Sequence, residues 1–114
     1  MELSADAFEA LVVEALDELP DTFVPLLENV QIVVEDEPEG GADILGLYEG
    51  IPQTERNDNY TFVMPDKITL FRGPLLRMCE DEDDLYDEIA VTIVHEVAHH
   101  FGISDERLEE LGWA

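Results

Sequence analysis

The sequence has a single cysteine and little positive charge. Cys79 is the only cysteine among 114 residues, so one chain cannot form an internal disulfide or a zinc site built from several thiolates. Lys and Arg number 5 against 29 Asp and Glu, which gives a formal net charge of −24. A surface of that sign repels phosphate backbones and anionic lipids, so we expect no nucleic acid and no membrane surface as partner. Basic peptides and cations remain possible partners of such an acidic surface.

Long apolar stretches are missing as well. No run approaches the roughly 20 apolar residues that a membrane-spanning helix needs. The first residues, MELSAD, lack the basic start and apolar stretch of a signal peptide. We therefore expect a cytoplasmic protein. Because 46% of the positions are hydrophobic and the chain is short, the composition predicts one domain over residues 1–114, which we expect to be a monomer.

The spacing of apolar residues predicts helices towards both ends of the chain. Apolar positions recur every three or four residues from Asp6 to Leu19, which is typical of an amphipathic helix with Ser4 as its N-cap. A long helix is predicted from about Asp83 to Phe101. Gly102 then provides a natural break, and a short last helix is predicted from Asp105 to Leu111.

Strands are predicted in the middle of the chain. Val30–Val34 is rich in β-branched residues, and Ile44–Tyr48 is a second candidate that a glycine and a proline close. Tyr60–Met64 and Lys67–Phe71 flank a Pro-Asp turn, which indicates a hairpin. We expect Arg72-Gly73-Pro74 to end the sheet.

Two acidic runs, at residues 35–39 and 80–84, are expected to be solvated surface, with a weak calcium or magnesium site as the minor alternative. Cys79 directly precedes the second run. A thiol in such a negative field is unreactive or has a raised pKa, so we assign it no catalytic role.

All three histidines lie within the segment VHEVAHHFGISD, residues 94–105, which contains the pattern His-Glu-x-x-His on the predicted long helix. His95 and His99 are one helical turn apart, so both imidazoles can bind a single zinc ion. Glu96 lies beside them, where a base acting on a metal-activated water belongs. The same arc of the helix carries Glu88 and Thr92, which either orient the histidines or are plain solvated polar positions. His100 falls among the apolar positions and is interpreted as a core or supporting histidine rather than a ligand.

A third ligand is needed, and Asp105 is the best-placed candidate. A straight helix would carry it about 15 Å beyond His95 on the wrong side. A glycine adopts positive φ at little cost, so the chain can reverse at Gly102 and bring Asp105 back beneath the histidines. An acid in the first turn of a helix is also favourable without any metal. Glu109 and Glu106 are the next candidates.

These motifs resemble the small bacterial zincin-like metallopeptidases, sometimes called minimal zincins, whose core is that of matrix-metalloprotease-type enzymes. The resemblance covers nearly the whole chain and includes LDELP (16–20), NVQIVVED (29–36), LGLYEG (45–50), ITLFRGPL (68–75) and residues 92–102. It implies an α+β fold, a three-layer zincin-like core with a small mixed sheet, an N-terminal helix, a long active-site helix and a short C-terminal helix.

The resemblance also implies a function, namely a zinc-dependent peptidase in which Glu96 is the general base and His95, His99 and Asp105 bind Zn²⁺. The substrate would be a peptide or protein, held in extended form along Lys67–Phe71 as an edge strand. Arg72 and Tyr48 are candidates for assisting the oxyanion, without support from spacing.

Two alternatives to the peptidase are kept. Larger metzincins have histidine where Asp105 stands and a methionine-containing turn beyond the site, and none of the residues after Asp105 is methionine. A zinc- or peptide-binding module with little or no turnover is therefore the first alternative. The second is an acidic interaction protein in which the histidines are incidental.

Overall fold

The structure of the protein is a computed structural model, and it describes residues 1–50 and 66–110. Within these ranges helices and strands are both present, which confirms the predicted α+β class. In chain order the elements are α1 (Ala5–Asp17), β1 (Val30–Glu35), β2 (Gly46–Glu49), β3 (Asp66–Phe71), α2 (Arg72–Met78), α3 (Glu82–His100) and α4 (Asp105–Glu110), with short 3₁₀ turns at Val24–Leu27 and Glu39–Gly41.

Polar side chains cap the helices α1 and α3, with the predicted Ser4 at α1 and Asp81, which was not predicted, at α3. The Ser4 hydroxyl accepts a hydrogen bond from the Ala7 amide at the start of α1 (3.2 Å). At the start of α3 the Asp81 carboxylate accepts from the Asp84 amide (2.8 Å). Each cap satisfies an amide that has no partner inside the helix. The acidic residues in the first turn of α3 also suit the positive end of the helix dipole.

The three strands form one mixed sheet in the order β1-β3-β2. β1 pairs with β3 in parallel, and β2 pairs with β3 antiparallel. The expectation that Lys67–Phe71 is an edge strand is wrong, because this segment is the middle strand and its main chain is hydrogen-bonded on both sides. The hairpin partner predicted at Tyr60–Met64 lies outside the described residues.

A helix that the sequence did not predict begins directly after β3. Arg72-Gly73-Pro74 does end the sheet, but it also forms the first turn of α2. Proline is tolerated there because the first amides of a helix have no partner within it. Pro74, Leu75 and Leu76 are buried, so α2 closes one end of the core.

The acidic run after β1 is bound to α2 rather than merely solvated. The Gly73 amide donates to the Asp36 carbonyl (2.8 Å), and Arg72 forms an ion pair with the Asp36 carboxylate (3.0 Å). Arg77 donates two hydrogen bonds, both of 2.9 Å, to the Glu37 carboxylate. Main-chain and arginine contacts thus hold the loop at Asp36 and Glu37 over the helix.

Helix α3 is the centre of the core and packs against α1, α2 and the strands β2 and β3. Its apolar residues face α1 and the sheet, and on its polar side His95 and Glu96 are partly exposed and His99 is exposed. Among the described residues, no helix is long and apolar enough to cross a membrane. The buried side chains of α3 are Leu85, Ile89, Ala90, Thr92, Ile93, Val94, Val97 and Ala98.

Candidate metal centre

The polar arc of α3, which carries Glu88, Thr92, His95, Glu96 and His99, lines a groove beside strand β2. His95 and His99 project from successive turns, with ring centroids 6.0 Å apart. The cavity has a volume of about 290 Å³. The polar residues that the sequence predicts on one arc of this helix therefore face a groove. The lining residues are Ile44, Leu45 and Gly46 from the β2 side and Glu88, Val91, Thr92, His95, Glu96 and His99 from α3.

The chain reverses after α3 at Gly102. Gly102 has a φ of +75°, the left-handed region that favours glycine. Its amide donates to the His99 carbonyl (3.2 Å), and the amide of Ile103 donates to the Ala98 carbonyl (2.8 Å). This pair of bonds is a Schellman motif, which satisfies carbonyls at the end of the helix. The predicted break is therefore a defined turn, and it directs α4 back towards the histidines.

Because of this turn, Asp105 lies against the histidines. Its Oδ1 is 3.1 Å from His99 Nε2. One potential ligand atom from each of His95, His99 and Asp105 lies within 4.8 Å of the other two. Ligands of a tetrahedral zinc ion lie about 3.3 Å apart when each bond is about 2.0–2.1 Å long. The donor set of two imidazoles and one carboxylate fits zinc, and small side-chain rotations would close it around an ion.

Glu106 and Glu109, the other candidates for third ligand, are not part of this cluster. Both residues are exposed on α4. In the described part of the chain, the histidines share a possible metal-binding group with Asp105 alone among the acids.

Glu96 is half-buried at the base of the groove, next to His95 in the chain. Burial raises the pKa of its carboxyl group, and the neighbouring His99, a hydrogen bond from the Tyr48 main-chain amide and His95 act in the opposite direction. Removing the carboxylate from water disfavours its charged form, whereas nearby cationic groups and amide donors stabilise that form. The carboxylate is thus held by strand β2 and directed by the same helix that carries the histidines.

The other polar residues of the site take different positions. Thr92 is buried and its methyl group packs so close to Gly46 that a Cβ added there would lie 2.8 Å from Thr92 Cγ2. Glu88 lines the groove. Of the two interpretations of His100, the core residue is wrong, because its side chain is 38% exposed and stacks on the Tyr48 ring. It lies beside the end of the sheet, near Gly50 and Asp66, and the possible metal-binding group among the described residues does not include it.

The two side chains considered for the oxyanion are bound elsewhere. The Tyr48 hydroxyl donates to Asp66 Oδ2 (2.8 Å). The Arg72 guanidinium binds Asp36 and also donates to the Leu3 carbonyl (2.8 Å). Sequence reasoning did not find the contact of the Tyr48 amide with Glu96, because main-chain contacts between distant segments leave no signal in a residue pattern.

Comparisons with known proteins give a family for the chain and a similar solved structure. A family model described as zincin-like metallopeptidase matches residues 27–113, and the chain therefore belongs to that family. Among solved structures, a conserved hypothetical protein from Thermo thermophilus is similar, with a TM-score of 0.57 and 26% sequence identity. The match covers 87% of this chain and 94% of that one. None of the curated proteins matches the chain.

Proposed function

We propose that the chain is a zinc-dependent peptidase that hydrolyses peptide bonds with Glu96 as general base. One observation carries the proposal: two imidazoles and a half-buried glutamate line one groove on α3, and the Asp105 carboxylate lies against one of these imidazoles. Family membership supports zinc and peptide-bond chemistry in general terms. His95, His99 and Asp105 would hold the ion. Bound zinc supplies a Lewis acid that makes water acidic near neutral pH and polarises a carbonyl group.

The reaction assigns two proton transfers to Glu96. Its carboxylate accepts one proton as the water oxygen adds to the carbonyl carbon of the substrate. It then returns that proton to the amine nitrogen as the carbon–nitrogen bond breaks. The raised pKa of Glu96 favours this use, because a more basic carboxylate accepts a proton more readily.

The open edge of β2 is suited to hold an extended peptide. The Phe71 amide donates to the Leu45 carbonyl (3.0 Å), so the alternation of an antiparallel ladder turns the main-chain groups of Gly46 away from β3, on the same side as the Tyr48 amide that binds Glu96. Within the described residues, no strand pairs with that edge. A peptide that adds there as a strand would lie along the groove. β2 thus takes the role first expected of Lys67–Phe71.

Replacing the general base tests the proposal. Glu96→Gln keeps the size and polarity of the side chain but cannot accept a proton. We expect turnover of a quenched fluorescent peptide library to fall by at least about 100-fold, while the variant still binds one equivalent of zinc. Glu82→Gln is the matched control, since it alters an exposed glutamate of the same helix outside the groove and should retain turnover. Unchanged hydrolysis in Glu96→Gln would disprove the mechanism.

A zinc-binding module without turnover is the second candidate function. The Asp105 side chain is 76% exposed, so the third donor is the most weakly enclosed of the set. If the wild-type protein binds zinc and the peptide library but cleaves nothing, this second function replaces the first. The acidic interaction protein would gain support only if no zinc is bound and zinc leaves the melting temperature unchanged.

A further inference from the structure

Tyr48 holds strand β2 against α3 at two points. Its main-chain amide donates to the Glu96 carboxylate. Its ring stacks on the His100 imidazole, with centroids 3.9 Å apart and planes inclined by 17°. Glu96 and His100 are four residues apart on a helix, so they lie on one side of it, one turn from each other. Tyr48 therefore contacts two residues one turn apart on α3, the helix that carries the proposed metal-binding histidines.

Further contacts fix the ring of Tyr48. Its hydroxyl donates to Asp66 Oδ2 (2.8 Å), and His100 Nε2 lies 4.0 Å from the same oxygen. The imidazole also lies against the strand end, because a Cβ added at Gly50 would be 3.1 Å from His100 Cε1. Phe101 meets the imidazole edge-on at 5.0 Å. The Tyr48 ring is thus held on its face by His100 and at its hydroxyl by Asp66.

We propose that Tyr48, held by His100 and Asp66, is a positioning residue that sets the Glu96 carboxylate for proton transfer. The inference rests on the proposed function, in which Glu96 is the base. A general base must lie within about 2.6–3.2 Å of the proton that it takes. β2 is four residues long and paired on one side among the described residues, so its own ladder gives its amides little support. The anchored ring supplies that support.

The kinetic test compares variants that loosen the ring with one that does not. Tyr48→Phe removes the hydroxyl bond to Asp66 but keeps the stack, and His100→Ala removes the stack. Misplacing a catalytic group by about 1 Å can cost about 100-fold, so we expect kcat to fall about tenfold in Tyr48→Phe and about 100-fold in His100→Ala. KM and zinc affinity should stay within about twofold. His100→Phe restores a stacked ring and should recover most of kcat.

Tyr86→Phe is the matched control, since it removes another tyrosine hydroxyl bond, to the Glu18 carboxylate, outside the groove. It should leave kcat unchanged. If Tyr48→Phe and His100→Ala lower kcat no more than Tyr86→Phe does, the positioning role is refuted.

A second readout needs no activity and no metal. The Tyr48 amide proton, observed by NMR of the metal-free protein, reports its hydrogen bond to the carboxylate. Glu96→Gln removes the negative charge of the acceptor. It therefore shows where the Tyr48 amide resonance lies when its hydrogen bond to residue 96 is weakened. We expect His100→Ala to move the Tyr48 amide in the same direction. An unmoved resonance in both His100→Ala and Tyr48→Phe overturns the inference, even if kcat falls.

The two proposals can fail separately. If Glu96→Gln hydrolyses peptides as well as the wild type, the proposed function is wrong, and the amide resonance still decides whether the ring holds the carboxylate. If His100→Ala does not fold, Tyr48→Phe carries both readouts, because it keeps the ring and loses one hydrogen bond.

Discussion

At the scale of single residues, Asp105, Glu106 and Glu109 have the same functional group in different surroundings. Asp105 follows the turn at Gly102 directly and meets His99 at 3.1 Å, whereas the other two extend along the exposed side of α4. A carboxylate binds an ion only when the backbone brings it within reach. Position after the turn, and not acidity, therefore distinguishes the proposed third donor.

This distinction predicts how zinc affinity responds to mutation. Because Asp105 is one of the three proposed zinc donors, Asp105→Ala should weaken zinc binding by more than about 100-fold, which exceeds the usual effect of a supporting residue around a metal. Glu109→Ala also removes one negative charge, and it should leave the zinc affinity within about twofold of the wild-type value. Competition with a chromophoric chelator measures both. An equal loss in the two variants would show that overall charge, not ligation, sets the affinity.

Cys79 is a second residue whose surroundings decide its chemistry. Its side chain is 3% exposed. Burial raises the pKa of the thiol to about 11, and the charges of Asp84 and Glu88 act in the same direction. The expectation of a raised pKa is thus confirmed, with burial as the first cause and the acidic neighbours as the second.

The raised pKa makes stability depend on pH at the alkaline end. The unfolded thiol ionises near pH 9 and the folded one near 11, so the stabilisation is complete below pH 9 and is lost as pH rises towards 11. Between pH 8 and pH 10.5, urea unfolding should show a fall in stability that is larger in wild type than in Cys79→Ala by on the order of 1 kcal/mol. Tyr86, whose pKa is raised to about 12 by its hydrogen bond to Glu18, contributes an alkaline loss in both proteins. Cys79→Ala will be less stable at pH 8 because it leaves a cavity. An equal loss of stability in wild type and Cys79→Ala would contradict the assignment of this pH dependence to the Cys79 thiol.

At the scale of elements, the site depends on how closely β2 approaches α3. Gly46 and Thr92 lie at the point of closest contact, where the strand has no side chain and the helix presents a methyl group. A larger residue in the strand would separate the two elements. That separation would move the Tyr48 amide away from the Glu96 carboxylate.

A double-mutant cycle tests this contact. Gly46→Ala places a methyl group 2.8 Å from Thr92 Cγ2 and 3.2 Å from the Thr69 carbonyl, so we expect a loss of about 1–3 kcal/mol in unfolding free energy. Thr92→Ser removes the opposing methyl group and keeps the hydroxyl. The double variant should recover part of the loss, and a coupling of about 0.5 kcal/mol or more is expected for residues in contact. If the changes in unfolding free energy of the two single variants simply add up in the double variant, the strain does not arise from the contact between residues 46 and 92.

At the scale of the whole molecule, the charge of −24 is hardly compensated by ion pairs. The four basic residues in the described ranges, Lys67, Arg72, Arg77 and Arg107, each pair with a carboxylate on the surface. Exposed pairs of this kind contribute about 0–1 kcal/mol each. Most of the carboxylates therefore repel one another, and this repulsion opposes the folded state.

Salt should consequently stabilise the protein. Raising NaCl from about 0.01 M to about 0.5 M shortens the Debye length from about 30 Å to less than 10 Å. Screening the repulsion by about 1–2 kcal/mol would raise the melting temperature by roughly 5–10 °C in a domain of this size. Tetramethylammonium chloride at equal ionic strength is the control, since its cation screens charge but coordinates carboxylates poorly. A melting temperature that falls or stays constant with both salts would contradict the argument.

Local features of the sequence were sufficient to predict the helices α1, α3 and α4 and the candidate site. The three-and-four spacing in α1 and α3, the His-Glu-x-x-His pattern and the glycine break all act over a few residues. They depend on dihedral preferences and on which side chains share a helix face. For that reason the bounds of α3 and the turn at Gly102 match the prediction closely.

Only the tertiary structure decided which distant segments meet. Lys67–Phe71 has the residue pattern of a strand in any position, and its place in the middle of the sheet depends on pairing with β1 and β2, which are far away in the chain. His100 has an apolar position on the helical wheel, yet its side chain is 38% exposed, because it lies beside the end of the sheet, next to Tyr48 and Asp66. Strand order and the end of a core follow from contacts between remote residues, and these contacts leave no periodic trace in the sequence.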